Sequence, residues 1–110
     1  ELELRRAELA AYMESAQPWL DPELNLTSLA EQLGLNTVQL SFLINNAFGQ
    51  NFNDFVNAFR VEAVKEKLAT PELQHYSLLA IAFESGFNSK ATFNRAFKKR
   101  TGDAPSRYQR

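Results

Sequence analysis

The chain has 110 residues, 45% of them apolar and 23% charged, with a formal net charge of −1, no Cys and a single His. That length suits one domain or two small subdomains, and the composition excludes a disulfide scaffold, a thiolate zinc site, a cysteine nucleophile and a multi-His metal centre. No apolar run approaches the ~18 residues a membrane-spanning helix needs, no signal peptide is visible, and a start at Glu1 rather than Met reads as an excised fragment.

With few Gly and Pro among many Ala, Leu, Glu, Lys and Gln, the chain is expected to be all-α. Leu4, Leu9, Tyr12, Met13 and Ala16 predict one apolar face of a first helix over residues 3–16. Pro18 ends it, and Trp19, Leu20 and Pro22 form a connecting loop. Asn25 or Thr27 caps a second helix that turns Leu29, Ala30 and Leu33 inward, and Gly34 follows as its turn. A third helix runs from about Thr37 to Phe48 on Leu40, Leu43, Ile44 and Ala47, and Gly49 closes it. A long fourth helix over about 52–69 carries Phe52, Phe55, Val56, Phe59, Val61, Val64 and Leu68, an apolar surface wider than one stripe. Thr70-Pro71 breaks it. Ser77 caps a fifth helix built on Leu78, Ile81 and Ala82 and ended by Gly86. The sixth, from about Ser89 to Arg100, has Phe93, Ala96 and Phe97 inside, and Pro105 opens a short seventh. Phe55, Phe59, Leu40, Ile44, Phe93 and Phe97 are the expected core.

The pattern of short helix, glycine turn, helix, glycine occurs twice. Gly34 pairs with Gly86 at an offset of 52, and Leu40, Ile44 and Gly49 pair with Phe93, Phe97 and Gly102 at 53. Two helices joined by a tight glycine turn make a helix-turn-helix signature. The expected division is residues 1–51 as a first such subdomain, 52–69 as a linker helix and 70–110 as a second. Charge divides the copies: residues 1–49 carry seven acids and two bases, whereas 87–110 carry seven bases and one acid. A cationic last quarter with interleaved aromatics points to nucleic acid.

These residues carry a resemblance. Ile81-Ala82, Gly86-Phe87-Asn88-Ser89, Phe93-Asn94-Arg95-Ala96-Phe97-Lys98-Lys99 and Gly102-x-x-Pro105-x-x-Tyr108 resemble the signature of the AraC/XylS family of bacterial transcription regulators. Leu29-Ala30, Gly34-Leu35, Leu40, Gly49, Phe55, Arg60, Lys65 and Leu68 agree upstream, so the likeness covers about residues 20–110. It implies two helix-turn-helix subdomains, a homeodomain-like pair of about seven helices, on a long linker helix. It also implies sequence-specific reading of double-stranded DNA in two successive major grooves. The further partners expected are RNA polymerase and an N-terminal sensor or dimerisation domain. The expected location is the cytoplasm, including the cytoplasmic part of a membrane-anchored regulator. No cofactor, metal or small-molecule ligand is expected in this segment.

A recognition helix must turn polar groups toward base edges while its stripe stays inside. On the sixth helix the outward candidates are Lys90, Ala91, Asn94 and Arg95. Arg95 can read guanine or form a surface ion pair, Asn94 can read adenine, Lys90 suits guanine or phosphate, and Ala91 suits a thymine methyl. On the third helix they are Val38, Gln39, Ser41 and Phe42, beside Asn45 and Asn46. Gln39 is an adenine reader, whereas Phe42 suits a thymine methyl or a protein interface. Many family members have Arg where Phe42 stands and Lys where Asn45 stands, so this helix departs from the pattern. Thr27, Ser77, Asn88, Ser89, Lys98, Lys99 and Arg100 are the phosphate candidates; Asn88 or Ser89 equally suits an N-cap, and the last three the helix dipole. His75 sits in a loop, and Asp21, Glu23 and Glu31 have no paired base or nucleophile, so no enzyme is expected. The alternative reading is a helical protein-interaction module with lost or weak DNA binding.

Overall fold

A computed structural model describes residues 1–108. Six α-helices are present among them: α1 (Leu2–Ala16), α2 (Leu26–Leu33), α3 (Thr37–Phe48), α4 (Phe52–Leu68), α5 (Leu78–Glu84) and α6 (Lys90–Thr101). Three 3₁₀ turns, Pro18–Leu20, Pro71–Leu73 and Pro105–Tyr108, complete the described chain, which contains no strand. The expected seventh helix is therefore a single 3₁₀ turn after Pro105. The chain divides into two compact units, Glu1–Phe55 and Val56–Arg110, and α4 begins in the first and continues into the second.

Side chains at the helix starts fix the boundaries. Asn25 caps α2 by accepting from Ser28 N–H at 2.8 Å, while Ser28 Oγ accepts from Asn25 N–H at 3.0 Å. Ser28 at the third helical position closes this reciprocal box, so Asn25 is the cap and Thr27 lies exposed within the first turn. Asn36 and Gln39 form the same box on α3. Gly34 ends α2 at φ 71°, and Gly86 follows α5 at φ 104°, conformations that cost an L-residue ~1–2 kcal/mol.

In the first unit α1 and α2 each pack on α3. Leu9, Met13, Leu29, Leu40 and Ile44 are fully buried there. Trp19 Nε1–H donates to Met13 C=O at 2.9 Å, which satisfies the one polar atom of that buried indole. The expected five-residue face of α1 narrows to Leu9 and Met13; Leu4 and Ala16 are exposed and Tyr12 is half-buried. Leu4 precedes Met13 by nine residues, about 180° around the helix, so both cannot face the core. Arg6 donates to Ala47 C=O at 3.0 Å and lies 4.9 Å from the centre of the Phe48 ring, a cation at the carbonyl end of α3.

The second unit is built around Val61, Val64, Ile81, Ala82, Phe87, Phe93 and Phe97. The Phe87, Phe93, Phe97 and Tyr108 rings follow one another at centroid distances of 5.3, 5.8 and 4.9 Å. Phe59, expected in the core, is only half-buried.

Candidate nucleic-acid interface

In the second unit α5, the turn at Gly86 and α6 form a helix-turn-helix. Phe87 N–H donates to Ala82 C=O across the turn at 3.1 Å. Lys67 of α4 braces the same corner: its ammonium donates to Glu84 C=O at 3.3 Å and to Ser85 Oγ at 3.1 Å. Ser85 is fully buried, and its hydroxyl donates a hydrogen bond to Ile81 C=O at 2.8 Å. Burial pushes the Lys67 ammonium below the ordinary lysine value, against the opposing pull of Glu84 and Glu66. Arg60, largely buried, donates to Asn57 Oδ1 at 2.9 Å and lies 6.0 Å from the centre of the Phe87 ring. Sequence reasoning gave Arg60 no role and overlooked Lys67, because nothing local marks a cation that ends beside a glycine turn.

Ser89 caps α6, its hydroxyl accepting from Thr92 N–H at 3.1 Å. Phe93 and Phe97 are buried beneath the helix. Ala91, Asn94, Arg95 and Lys98 are exposed and spread over about 100° of the opposite face, and Lys90 is exposed in the first turn at its flank. The side chains of Lys90, Arg95 and Lys98 make no hydrogen bond or ion pair with a described residue, so their charges face solvent uncompensated. Arg100 differs. It follows Phe93 by seven residues, which turns it back toward the core side, and its Nε lies 3.2 Å from Glu62 Oε2 of α4. Lys99 and Asn88 are exposed, and Ser77 caps α5 through Ala80 N–H at 3.0 Å.

The α3 surface has another chemistry. It holds no charged residue. Val38 is 76% exposed and Phe42 61%. Gln39 Oε1 is engaged by Asn36 N–H at 3.0 Å. The Asn45 and Asn46 amides donate to Ser41 and Phe42 C=O, each at 2.8 Å. Ser41 is half-buried. Leu2, Leu35, Val38, Phe42 and Leu43 line one open apolar groove, with the Glu1–Arg5 ion pair at its edge. Among the described residues no cluster of His, Asp and Glu could hold a metal ion, and no helix is long and apolar enough to cross a membrane.

Residues 29–110 match the model of a family described as a helix-turn-helix domain. An uncharacterized HTH-type transcriptional regulator of Staphylococcus aureus strain COL is 32% identical over 87 residues, 79% of this chain and 11% of that protein. The chain thus spans about a tenth of the length of the curated relatives it matches. Among solved structures it is similar to a Listeria innocua protein at a TM-score of 0.75 and 32% identity, covering 94% of this chain and 92% of that one. The C-terminal domain of AraT, a response regulator from Geobacillus stearothermophilus, has a TM-score of 0.70 and 30% identity over 84% and 74%. The C-terminal domain of the two-component response regulator yesN from Fusobacterium nucleatum has a TM-score of 0.74 and 27% identity over 94% and 98%.

Proposed function

The chain belongs to the AraC-type helix-turn-helix family, and from that premise we propose that it is the sequence-specific DNA-binding output module of a bacterial transcription regulator. The observation that carries this reading is the outward face of α6, where Lys90, Arg95 and Lys98 are exposed with no described partner on a helix anchored by Phe93 and Phe97. Lys90, Ala91, Asn94 and Arg95 read base edges. Lys98 and Lys99, with the helix starts at Thr27, Ser77, Asn88 and Ser89, engage phosphates, and Arg100 joins them when it is released from Glu62. The second helix-turn-helix supplies most of the charge, and the first adds a neighbouring contact through α3. The target is then two major-groove elements one helical turn, ~34 Å, apart. The division into residues 1–51, a linker over 52–69 and 70–110 belongs to the same reading. So do a cytoplasmic location, RNA polymerase as a partner and an N-terminal sensor or dimerisation domain.

The test is a fluorescence titration of the chain with duplexes selected from a random library. Neutralising four to five phosphates gives a slope of log affinity against log salt of about −4. A slope near zero refutes the reading. The alternative, a protein-interaction module, draws on the exposed apolar surface of α3. It predicts flow-through on a polyanion column, where DNA binding predicts retention.

A further inference from the structure

On the outward face of α3 each side-chain amide is already half engaged within its own helix, whereas two apolar side chains project freely. Reading adenine with a side-chain amide uses both its oxygen and its nitrogen. In Gln39 the oxygen is already engaged by Asn36 N–H, and in Asn45 and Asn46 the nitrogen is engaged by α3 carbonyls. Each would have to break a bond that shapes or lines its own helix. What projects without such ties is apolar: Val38 at 76% exposure and Phe42 at 61%, four residues apart and so on one side of the helix. α3 is also the second helix of its helix-turn-helix, the element that enters the major groove in that motif. The apolar feature displayed there is the C5-methyl group of thymine.

We propose that α3 reads pyrimidine C5-methyl groups through Val38 and Phe42, with no bidentate side-chain amide pair to a base. This rests on the DNA-binding reading above and specifies its chemistry. A further consequence is that 5-methylcytosine, which carries its methyl at the same ring position, is accepted in place of thymine at these steps, whereas cytosine is not.

The experiment first selects a binding site from random duplexes. Each thymine of that site is then replaced by deoxyuridine, which removes only the methyl. Replacement in the element contacted by α3 is expected to weaken binding about three- to five-fold per methyl, the scale of one buried methyl group. Replacing the same T·A pair by 5-methylcytosine·G is expected to keep most of the affinity, and by C·G to weaken binding about three- to five-fold, as deoxyuridine does. Phe42→Ala should abolish the deoxyuridine effect at its step, while Arg95→Ala should leave it intact. Phe42 is exposed, so circular dichroism should show both proteins equally folded. No selected site at all overturns the DNA-binding reading together with this inference. A selected site at which every deoxyuridine is neutral overturns this inference alone. So does Phe42→Ala that leaves DNA binding unchanged and instead removes self-association, which would make the face a protein interface.

Discussion

Replacing Glu62 by Gln is expected to tighten DNA binding. The Glu62 carboxylate lies 3.2 Å from Arg100 Nε and 3.6 Å from Lys65 Nζ. The three side chains are 45, 47 and 37% exposed, so solvent screens both pairs. Ion pairs this open contribute ~0–1 kcal/mol each, and the loss of both should lower the melting temperature by at most roughly 10 °C. The effect on DNA is opposite in sign. The substitution frees the Arg100 guanidinium for a phosphate and deletes one negative charge from the second unit. One additional phosphate contact steepens the salt slope by about 0.9. Between 50 and 200 mM salt that adds an affinity loss of roughly 3.5-fold to the loss of the unmodified chain, starting from tighter binding at 50 mM. Anisotropy of a labelled duplex at four salt concentrations measures both quantities. An unchanged slope, or weaker binding at 50 mM, would refute this reasoning and assign Glu62 the task of aiming Arg100.

Arg95→Ala should cost ~1–3 kcal/mol on the preferred site and flatten preference at one base pair, whereas Lys98→Ala should weaken all sequences alike and reduce the salt slope by about 1. Selection over randomised DNA distinguishes these roles, and uniform weakening by Arg95→Ala would move it to the phosphate class. Phe97→Ala removes a fully buried ring that touches Phe93 and Tyr108, and should cost ~3–5 kcal/mol by urea denaturation; Phe42→Ala, as a control, should cost under about 1 kcal/mol. Lys67 has its folded pKa lowered from 10.5 by burial, so between that lowered value and 10.5 the unfolded chain binds more protons. Its contribution to stability therefore rises with pH across that window, and Lys67→Met should flatten the rise in a comparison of melting curves.

Local chemistry made the helices legible. Thr37 and Phe48 bound α3 as the sequence predicts, because Asn36 before it and Gly49 after it act within one turn of chain. The inner and outer sides of α6 could be assigned from the three- and four-residue spacing of Phe93, Ala96 and Phe97 alone. The hidden features depend on partners far along the chain. Arg100 meets Glu62 from 38 residues away, and Arg6 reaches the end of α3 from 41. The inward folding of the Asn45 and Asn46 amides was equally unreadable, since exposed Asn at those positions is compatible with either direction. Leu4 was misplaced for another reason: its nine-residue spacing from Met13 already sets the two on opposite sides, and only Leu9 and Met13 meet the core.

The division of labour along α6 bears on how such a domain changes over evolutionary time. The residues that mount the helix, Phe93 and Phe97, and the residues exposed to solvent, Lys90, Ala91, Asn94 and Arg95, have no member in common. Exchanges at the outward positions leave the aromatic mounting intact, and surface exchanges of this kind usually shift stability by less than about 0.5 kcal/mol. In the proposed base-reading role of these positions, operator preference can therefore drift one residue at a time, without the compensating core substitutions that would hold a coupled design in place. A lineage of duplicated regulators can diversify its targets while every intermediate still folds.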